Sequence, residues 1–437
     1  MRRTAMVAVT WAGIVCMAMG CGKAPTAVST TRPTERPTTE PAVAGPTGMV
    51  LSGGYELTPV EAGAQPGVFE MTRMASLSPG TTGMKPRGVK AAPATAGAKG
   101  RFFEIECGKL KVWAMMVGEE APMLYVDTDM DGDLAEEKGL MGSEVKREGI
   151  PEEMRIWDFG VVQVQPAGAK GAVEMRVTGY SSMLLITPGG MRRGEVKIGE
   201  KTCKLTVIDA NMDGEYDGVM GEDRPTGTVG QPVKTDMVGI DWDGDGKWTS
   251  EEAGEKLTPL AKMMRTEDGR YWSMEVAKDG GSVRVKEAHP KMGTLEVKSP
   301  EGELTLSSAN GMHTVRLPQG KCGLPVGKYY PVKVTLKKKD GEGHEWALRG
   351  AWQEAKAKAV EVTEEGTATL EVGPPLKAGT ATQRMGDMIY VTLNLTGLAG
   401  EEYWGGALKD GKQTEAPTLQ IVDKSGVKLT TGTFEYG

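Results

Sequence analysis

Asp241-Trp242-Asp243-Gly244-Asp245-Gly246-Lys247-Trp248-Thr249-Ser250-Glu251-Glu252 is the stretch around which the rest of the chain is organised. It places carboxylates at the first, third, fifth and twelfth of its twelve positions. A hard dication takes six to eight oxygen ligands at about 2.3 to 2.6 Å, and alternate residues of a loop can turn their carboxylates towards one ion. The spacing therefore predicts a cation site whose ligands are Asp241, Asp243, Asp245, Lys247 through its carbonyl, Thr249 and Glu252.

The same twelve positions resemble an EF-hand calcium loop. Gly246 stands at the sixth position, where such a loop turns sharply, and Glu252 stands at the twelfth, where a glutamate binds through both oxygens. The resemblance implies that the cofactor is calcium. The alternative is an Asp/Gly-rich surface turn held by side-chain hydrogen bonds, although three crowded carboxylates would repel one another without a cation.

Two weaker copies of this pattern lie upstream. The first begins at Asp127 and has Lys138 at position twelve, so Glu136 or Glu137 has to supply the closing carboxylate. The second begins at Asp209 and has Met220 at position twelve, which leaves Asp217 or a later acid for that task. The alternative for both is a carboxylate-lined turn between strands. The predicted ligands are Asp127, Asp129, Asp131, Asp133 and Glu137 in the first loop, and Asp209, Asn211, Asp213, Glu215 and Asp217 in the second.

Short apolar runs come directly before all three loops: Leu124-Tyr125-Val126, Leu205-Thr206-Val207-Ile208 and Met237-Val238-Gly239-Ile240. Such runs are too short to nucleate a helix, and Val, Ile and Tyr favour strands. We therefore expect EF-like loops at the ends of β-strands, in a mostly β, multidomain protein of β-sandwich or meander modules with little helix. A short helix is predicted at 253–257, after the third loop, because Thr249 and Glu252 have the capping-box spacing.

Composition and pattern divide the chain into five segments. Residues 1–20 are predicted to be a signal peptide, 21–48 a lipid-anchored Thr/Pro-rich tether, 49–290 a β domain with the three calcium-type loops, 291–358 a β-sandwich-like module and 359–437 an Ig-like β module. Within the first domain, 76–100 is rich in Pro and basic residues and is expected to be a flexible exposed loop. In the last module, Val360 and Val362 are expected to form a hairpin with Ala368, Leu370 and Val372.

The beginning of the chain has the layout of a secretory signal, with Arg2 and Arg3 before an apolar run that ends at Gly20-Cys21. It resembles the lipobox of bacterial lipoproteins, with Ala18 in place of the usual leucine. The resemblance implies that Cys21 carries lipid, that the membrane is a partner through this anchor, and that the protein lies in the cell envelope at the outer membrane. The alternative is ordinary secretion after cleavage behind a small residue.

A third resemblance lies in Leu324-Pro325-Val326-Gly327-Lys328-Tyr329. This phrase is similar to one found in prealbumin-like and carboxypeptidase-regulatory-like sandwiches.

An Ig-like sandwich is further expected to be closed by two strands, Thr418–Val422 and Gly432–Tyr436. Cys107, Cys203 and Cys322 remain after the signal and the lipid site, and spacing leaves their disulfide pairing open.

Several functional classes are disfavoured. The formal charge is −7, and loss of Arg2 and Arg3 with the signal would make it −9, so nucleic acid is not expected as a partner. The three histidines share no zinc-binding spacing, and nucleophile-elbow and phosphate-loop motifs are absent. No catalytic residue is therefore predicted.

We expect a non-enzymatic, calcium-binding cell-envelope lipoprotein whose metal is mainly structural. The alternatives are a cell-surface adhesion or carbohydrate-binding protein, for which Tyr403-Trp404 offers aromatic rings to a surface glycan or protein partner, and a carboxylate-based hydrolase.

Overall fold

The computed structural model describes residues 7–9, 53–60, 73–74, 76–77, 84–94, 100–107, 110–146, 155–165, 172–180, 183–222, 234–245, 257–317, 320–353, 356–385 and 388–435. These residues form strands and turns without any α-helix, which confirms the mostly β prediction. No helix long and apolar enough to cross a membrane occurs in this part of the chain. Cys21 and the predicted helix at 253–257, except for Leu257, lie outside the described residues.

The first loop belongs to a pair of five-stranded antiparallel sheets. One sheet has the strand order Ser76–Leu77, Arg101–Cys107, Leu110–Val117, Met123–Val126, Leu140–Met141. The other has the order Ser143–Val145, Ile156–Val164, Val173–Tyr180, Met183–Pro188, Arg73–Met74. The two sheets pack face to face, because alternate side chains of both, such as Phe103, Val112, Val162 and Val177, enter one buried core.

The second and third loops belong to a second pair of antiparallel sheets. The five-stranded sheet has the order Thr258–Pro259, Met237–Asp241, Lys201–Ile208, Met191–Ile198, Thr58–Pro59. The four-stranded sheet has the order Met263–Arg265, Tyr271–Val276, Ser282–Ala288, Gly53–Glu56. Their shared core includes Val196, Leu205, Ile240, Trp272 and Val285. The three apolar runs are strands that end at Val126, Ile208 and Asp241, so the prediction of loops at strand ends is confirmed.

The remaining strands form three further sheets. Within the described residues, the largest follows the order Val7–Val9, Met388–Thr396, Glu402–Lys409, Glu345–Ala351, Gly327–Lys339, Glu301–Ser308, Gly311–Leu317, and Val360–Val362, Lys377–Met385 and Lys412–Gln413 pair at its sides. A three-stranded sheet has the order Gly320–Pro325, Met292–Lys298, Thr367–Glu371. Thr418–Val422 pairs with Lys428–Thr433 in a two-stranded sheet.

The predicted boundary between 358 and 359 does not coincide with a boundary between sheets. Thr367–Glu371 pairs in parallel with Met292–Lys298, and Glu402–Lys409 pairs with Glu345–Ala351. Residues from both sides also share one buried core, as Leu295, Leu304, Leu370 and Tyr403 show. The predicted hairpin of Val360 and Val362 with Leu370 is wrong. Both strands find sequence-distant hydrogen-bonding partners, which local alternation of apolar residues cannot identify.

Part of the predicted flexible loop is docked on the first calcium-type loop. The backbone N–H of Lys90 donates to the carbonyl of Gly132 at 2.7 Å, and that of Leu134 donates to the carbonyl of Ala91 at 3.1 Å. Val89 is buried with Phe102, Met115 and Leu134. One apolar side chain therefore anchors a stretch of residues 84–94 whose composition indicates exposure.

Tyr329 and Tyr403, two aromatic residues singled out in the C-terminal half, are both buried. The hydroxyl of Tyr329, a fully buried residue, donates to the carbonyl of Pro325 at 2.6 Å and so closes the Leu-Pro-x-Gly-x-Tyr phrase on itself. Tyr403 is buried in the core, whereas Trp404 is exposed. No disulfide joins Cys107, Cys203 and Cys322 within the described residues, and Cys107 and Cys203 lie in different cores.

Candidate metal centres

The three loops share a backbone conformation at position four. Met130, Met212 and Gly244 occupy this position, with φ angles of 63°, 55° and 80°. Gly132 and Gly214, at position six of the first two loops, also have positive φ, at 84° and 80°. A methionine in the left-handed region is strained, so two such residues at the same position indicate that the loop geometry is imposed by its surroundings.

The first two loops also share a set of hydrogen bonds between alternate residues. The N–H of position six donates to the carboxylate of position one, from Gly132 to Asp127 at 3.1 Å and from Gly214 to Asp209 at 3.0 Å. The N–H of position five donates to the side chain of position three, from Asp131 to Asp129 at 3.1 Å and from Asp213 to Asn211 at 2.9 Å. In the third loop, Asp245 donates to Asp243 in the same way at 3.0 Å. These bonds turn the side-chain oxygens towards the middle of each loop.

Two of the loops bring three carboxylates together. One carboxylate oxygen from each of Asp127, Asp129 and Asp131 lies within 4.8 Å of the other two, and the same holds for Asp241, Asp243 and Asp245. In each group the first carboxylate is buried at the end of its strand and the other two are exposed. An ion about 2.4 Å from each oxygen spans this separation, so both groups have the donor type and spacing to hold a hard metal ion.

The buried carboxylate of Asp127 is energetically unfavourable in the absence of a cation. The side chain is 2% exposed, its Oδ2 accepts the N–H of Gly132, and its Oδ1 is buried without a hydrogen-bond partner within the described residues. Burial raises the pKa of Asp127, and the nearby charges of Asp129 and Asp131 raise it further. A buried carboxylate oxygen without a partner is costly, and a cation would compensate it.

Glu137 and Asp133, the other predicted ligands of the first loop, make local hydrogen bonds. Oε1 of Glu137 accepts the N–H of Thr128 at 2.6 Å and its hydroxyl at 3.0 Å. Oδ1 of Asp133 accepts the N–H of Ala135 at 2.8 Å. Glu137, one position before Lys138, therefore connects the end of the loop to its second residue, Thr128.

The second loop brings only part of its predicted set together. Asp209, Asn211 and Asp213 occupy the shared geometry, and Asp209 is buried enough to raise its pKa to about 7. Glu215 instead forms an ion pair with Lys278 at 3.0 Å, and the charge of Asp217 also acts on that lysine. Met220, at position twelve, is buried and contributes no oxygen from its side chain.

The third loop is described only over its first half. Asp241, Asp243 and Asp245 are in place, and Trp242 packs against the adjoining core. Burial, and then the charge of Asp241, raises the pKa of Cys203 to about 11. The predicted ligands Lys247, Thr249 and Glu252 lie outside the described residues.

Asp236 is an acidic residue that the sequence pattern did not single out. It is fully buried, and its Oδ2 accepts the N–H of Gly218, at position ten of the second loop, at 2.7 Å. Burial, and then the charge of Asp209, raises the pKa of Asp236 to about 8. The only signal in the sequence is its place directly before the strand Met237–Asp241.

In comparisons with known proteins, the chain matches no family model, no curated protein and no solved structure.

Proposed function

We propose that this protein is a calcium-binding lipoprotein of the cell envelope, without catalytic activity, in which the bound ions stabilise the β units. The observation that carries the proposal is Oδ1 of Asp127, a buried carboxylate oxygen without a hydrogen-bond partner within the described residues, beside Asp129 and Asp131. The group offers only oxygen donors. Oxygen-only carboxylate sites favour calcium or magnesium over zinc and copper, which take nitrogen and sulfur ligands.

Calcium suits this site better than magnesium. Calcium accepts flexible coordination by loop carboxylates, whereas magnesium requires a near-ideal octahedron and keeps several waters. The hydrogen bonds between alternate loop residues and the left-handed backbone conformation at position four fit an EF-like loop. Loops of this type bind calcium.

A structural role follows from what the first loop connects. The N–H of Asp127 donates to the carbonyl of Trp113 at 2.9 Å, in the first sheet, and the carbonyl of Thr128 accepts the N–H of Gln165 at 2.8 Å, beyond the end of a strand in the facing sheet. Lys90 holds the docked segment to the same loop. An ion that fixes this loop therefore supports both sheets. A site with a dissociation constant of about 0.1 mM in about 1 mM calcium adds about 1.4 kcal/mol of unfolding free energy.

Thermal unfolding of the full chain in calcium and in chelator tests this proposal. We expect calcium to raise the melting temperature, and Asp127→Asn to reduce that increase while keeping an acceptor for Gly132. Asp423→Asn is the matched control, because Asp423 accepts the N–H groups of Ser425 and Val427 in an exposed turn of the two-stranded sheet of 418–433. An identical melting temperature of the wild-type chain in calcium and in chelator would refute the proposal.

Hydrogen exchange locates the effect within the chain. We expect calcium to slow amide exchange in 123–137 and 237–245 and to leave the two-stranded sheet of 418–433 unchanged, since the carboxylate loops all precede residue 253. Equal slowing in all these regions would argue against the assigned loops.

The envelope location rests on Cys21 and the apolar run before it. Incorporation of radiolabelled lipid should disappear in Cys21→Ser, and this variant should no longer partition into detergent. If Cys21→Ser partitions into detergent like the parent, the lipid anchor is wrong.

The exposed Trp404 is the observation that keeps an adhesion or carbohydrate-binding function as the second candidate. Its side chain points away from the core that holds Tyr403, and an exposed indole can stack on a sugar ring or a protein partner. A glycan array with the wild-type chain and Trp404→Ala tests this function, which requires wild-type binding that the variant loses.

A further inference from the structure

Asp236 is a buried carboxylate with one unused oxygen. The residue is fully buried, its Oδ2 accepts the N–H of Gly218 at 2.7 Å, and its Oδ1 has no hydrogen-bond partner within the described residues. The largest effects on its pKa come from burial, two backbone N–H groups and the charges of Asp209 and Asp213, and none comes from a lysine or an arginine. Such a group requires either a proton or a cation.

Strand pairing brings this carboxylate to the second loop. In the antiparallel pair of Lys201–Ile208 with Met237–Asp241, Ile208 lies opposite Met237. The next residues outward are Asp209 and Asp236, so the first residue of the loop and this distant aspartate leave the two strands side by side. The charge of Asp209 accordingly has the largest electrostatic effect on the pKa of Asp236 among the neighbouring charges.

Gly218 shows that the loop and Asp236 flank one narrow space. A Cβ atom built on Gly218 would lie 2.8 Å from Nδ2 of Asn211 and 3.0 Å from Oδ2 of Asp236. The side chain at position three and this aspartate therefore approach the same glycine from two sides. Glycine is the residue that leaves this space open.

We propose that Asp236 supplies the carboxylate that the second loop lacks at position twelve, so that Asp209, Asn211, Asp213 and Asp236 bind one calcium-type cation. This inference rests on the proposed function, because it assigns the same class of ion to another loop. Three carboxylates and one amide give oxygen donors of the kind that calcium takes, and they include three negative charges.

Binding requires a small movement of a side chain. No choice of one oxygen each from Asp209, Asp213 and Asp236 places the three within 4.8 Å of one another, unlike the carboxylates of the other two loops. The ion therefore has to draw Oδ1 of Asp236 towards the loop. That oxygen has no hydrogen bond to break within the described residues, while Oδ2 can keep the N–H of Gly218.

The test isolates the second loop in the full chain. Asp129→Ala and Asp243→Ala together remove one carboxylate from each of the other loops. Equilibrium dialysis of this double variant against radioactive calcium, at about 1 mM free ion, should still give one calcium per chain. Adding Asp236→Asn should remove that ion or weaken its binding by at least about 10-fold. Adding Asp423→Asn instead should leave binding unchanged.

A further variant covers the case in which Asp236→Asn fails to fold. Gly218→Ala keeps every carboxylate and places a methyl group between Asn211 and Asp236, so it should also weaken the remaining calcium. If wild type binds calcium but the double variant binds none, or if it binds equally well with Asp236→Asn, this inference is overturned and the proposed function stands. If wild type binds no calcium at all, the proposed function itself fails.

Discussion

The indole of Trp113 lies against Gly88, in the space that the Cβ atom of any larger residue at this position would occupy. A Cβ atom built on Gly88 would lie 2.6 Å from Nε1 of Trp113 and 2.8 Å from two of its ring carbons. Trp113 also accepts the N–H of Asp127 through its backbone carbonyl. One tryptophan thus contacts both the docked segment and the first residue of the first loop.

Gly88→Ala should separate the docked segment from that loop. The added methyl group collides with a ring held in a sheet, and overpacking of this kind costs about 1–3 kcal/mol. The free energy of unfolding, measured by urea denaturation, should fall by that amount. Gly341→Ala is the control, because a Cβ atom there meets nothing within 4 Å and its φ is not positive. Equal stability of the two variants would contradict the contact.

Glu137→Gln should weaken the first loop, whereas Glu136→Gln should not. Glu137 accepts the N–H and the hydroxyl of Thr128, and glutamine keeps an acceptor oxygen but loses the charge, so the free energy of unfolding should fall by about 1 kcal/mol. Glu136 is exposed, and the charges of Asp131 and Asp129 raise its pKa, so its removal relieves repulsion. Urea denaturation in chelator separates the two variants. A greater loss of stability in Glu136→Gln would reverse the assignment.

Terbium should report on the third loop through Trp242, which directly follows Asp241. Terbium also seeks hard oxygen ligands, and a nearby indole can transfer its excitation to it. We expect luminescence on tryptophan excitation that calcium competes away. Asp243→Ala should remove the component that Trp242 sensitises, and Trp242→Phe should dim that component without changing calcium-dependent stability. Wild-type luminescence that calcium does not displace would show that this loop is an ordinary acidic turn.

His313 should make the stability of the protein depend on pH. Burial, and then the charge of Arg265, lowers the pKa of His313 to about 4, whereas an unfolded histidine has a pKa of about 6.5. Between these values the unfolded chain binds the extra proton, so stability falls as the pH drops through this window. Between pH 7 and pH 4.5, the free energy of unfolding of His313→Phe should therefore fall by about 2 kcal/mol less than that of wild type.

Denaturation of the two proteins at both pH values checks this prediction. The ring of His313 lies between Tyr271 and Tyr329, with centroid distances of 6.3 and 5.4 Å, so a phenyl ring fits the site. Equal losses in wild type and His313→Phe would show that this histidine does not titrate on unfolding.

The sequence predicts local features of the candidate centres well. The apolar runs before Asp127, Asp209 and Asp241 predict strands, and the alternating acids that follow predict the grouped carboxylates of the first and third loops. Features that depend on pairing between distant residues are not predictable in this way. Asp236 meets Asp209 only because Ile208 pairs with Met237, and Leu370 meets the core of Leu295 only through a parallel pairing. The docking of Val89 depends on one buried side chain in a polar stretch, which carries no periodic signal.

The parallel pairing of Met292–Lys298 with Thr367–Glu371 sets an order of events during synthesis. The earlier strand leaves the ribosome about 70 residues before its partner, and pairing across so long a separation requires closure of a large loop. Gly320–Pro325 can add to Met292–Lys298 sooner, because it is close in sequence. The other edge of Met292–Lys298, a strand whose Leu295 and Val297 side chains are buried in the finished fold, stays unpaired until residue 371 has been synthesised. A chain interrupted before that point would present an unpaired apolar strand edge, the kind of surface that chaperones bind and that promotes aggregation.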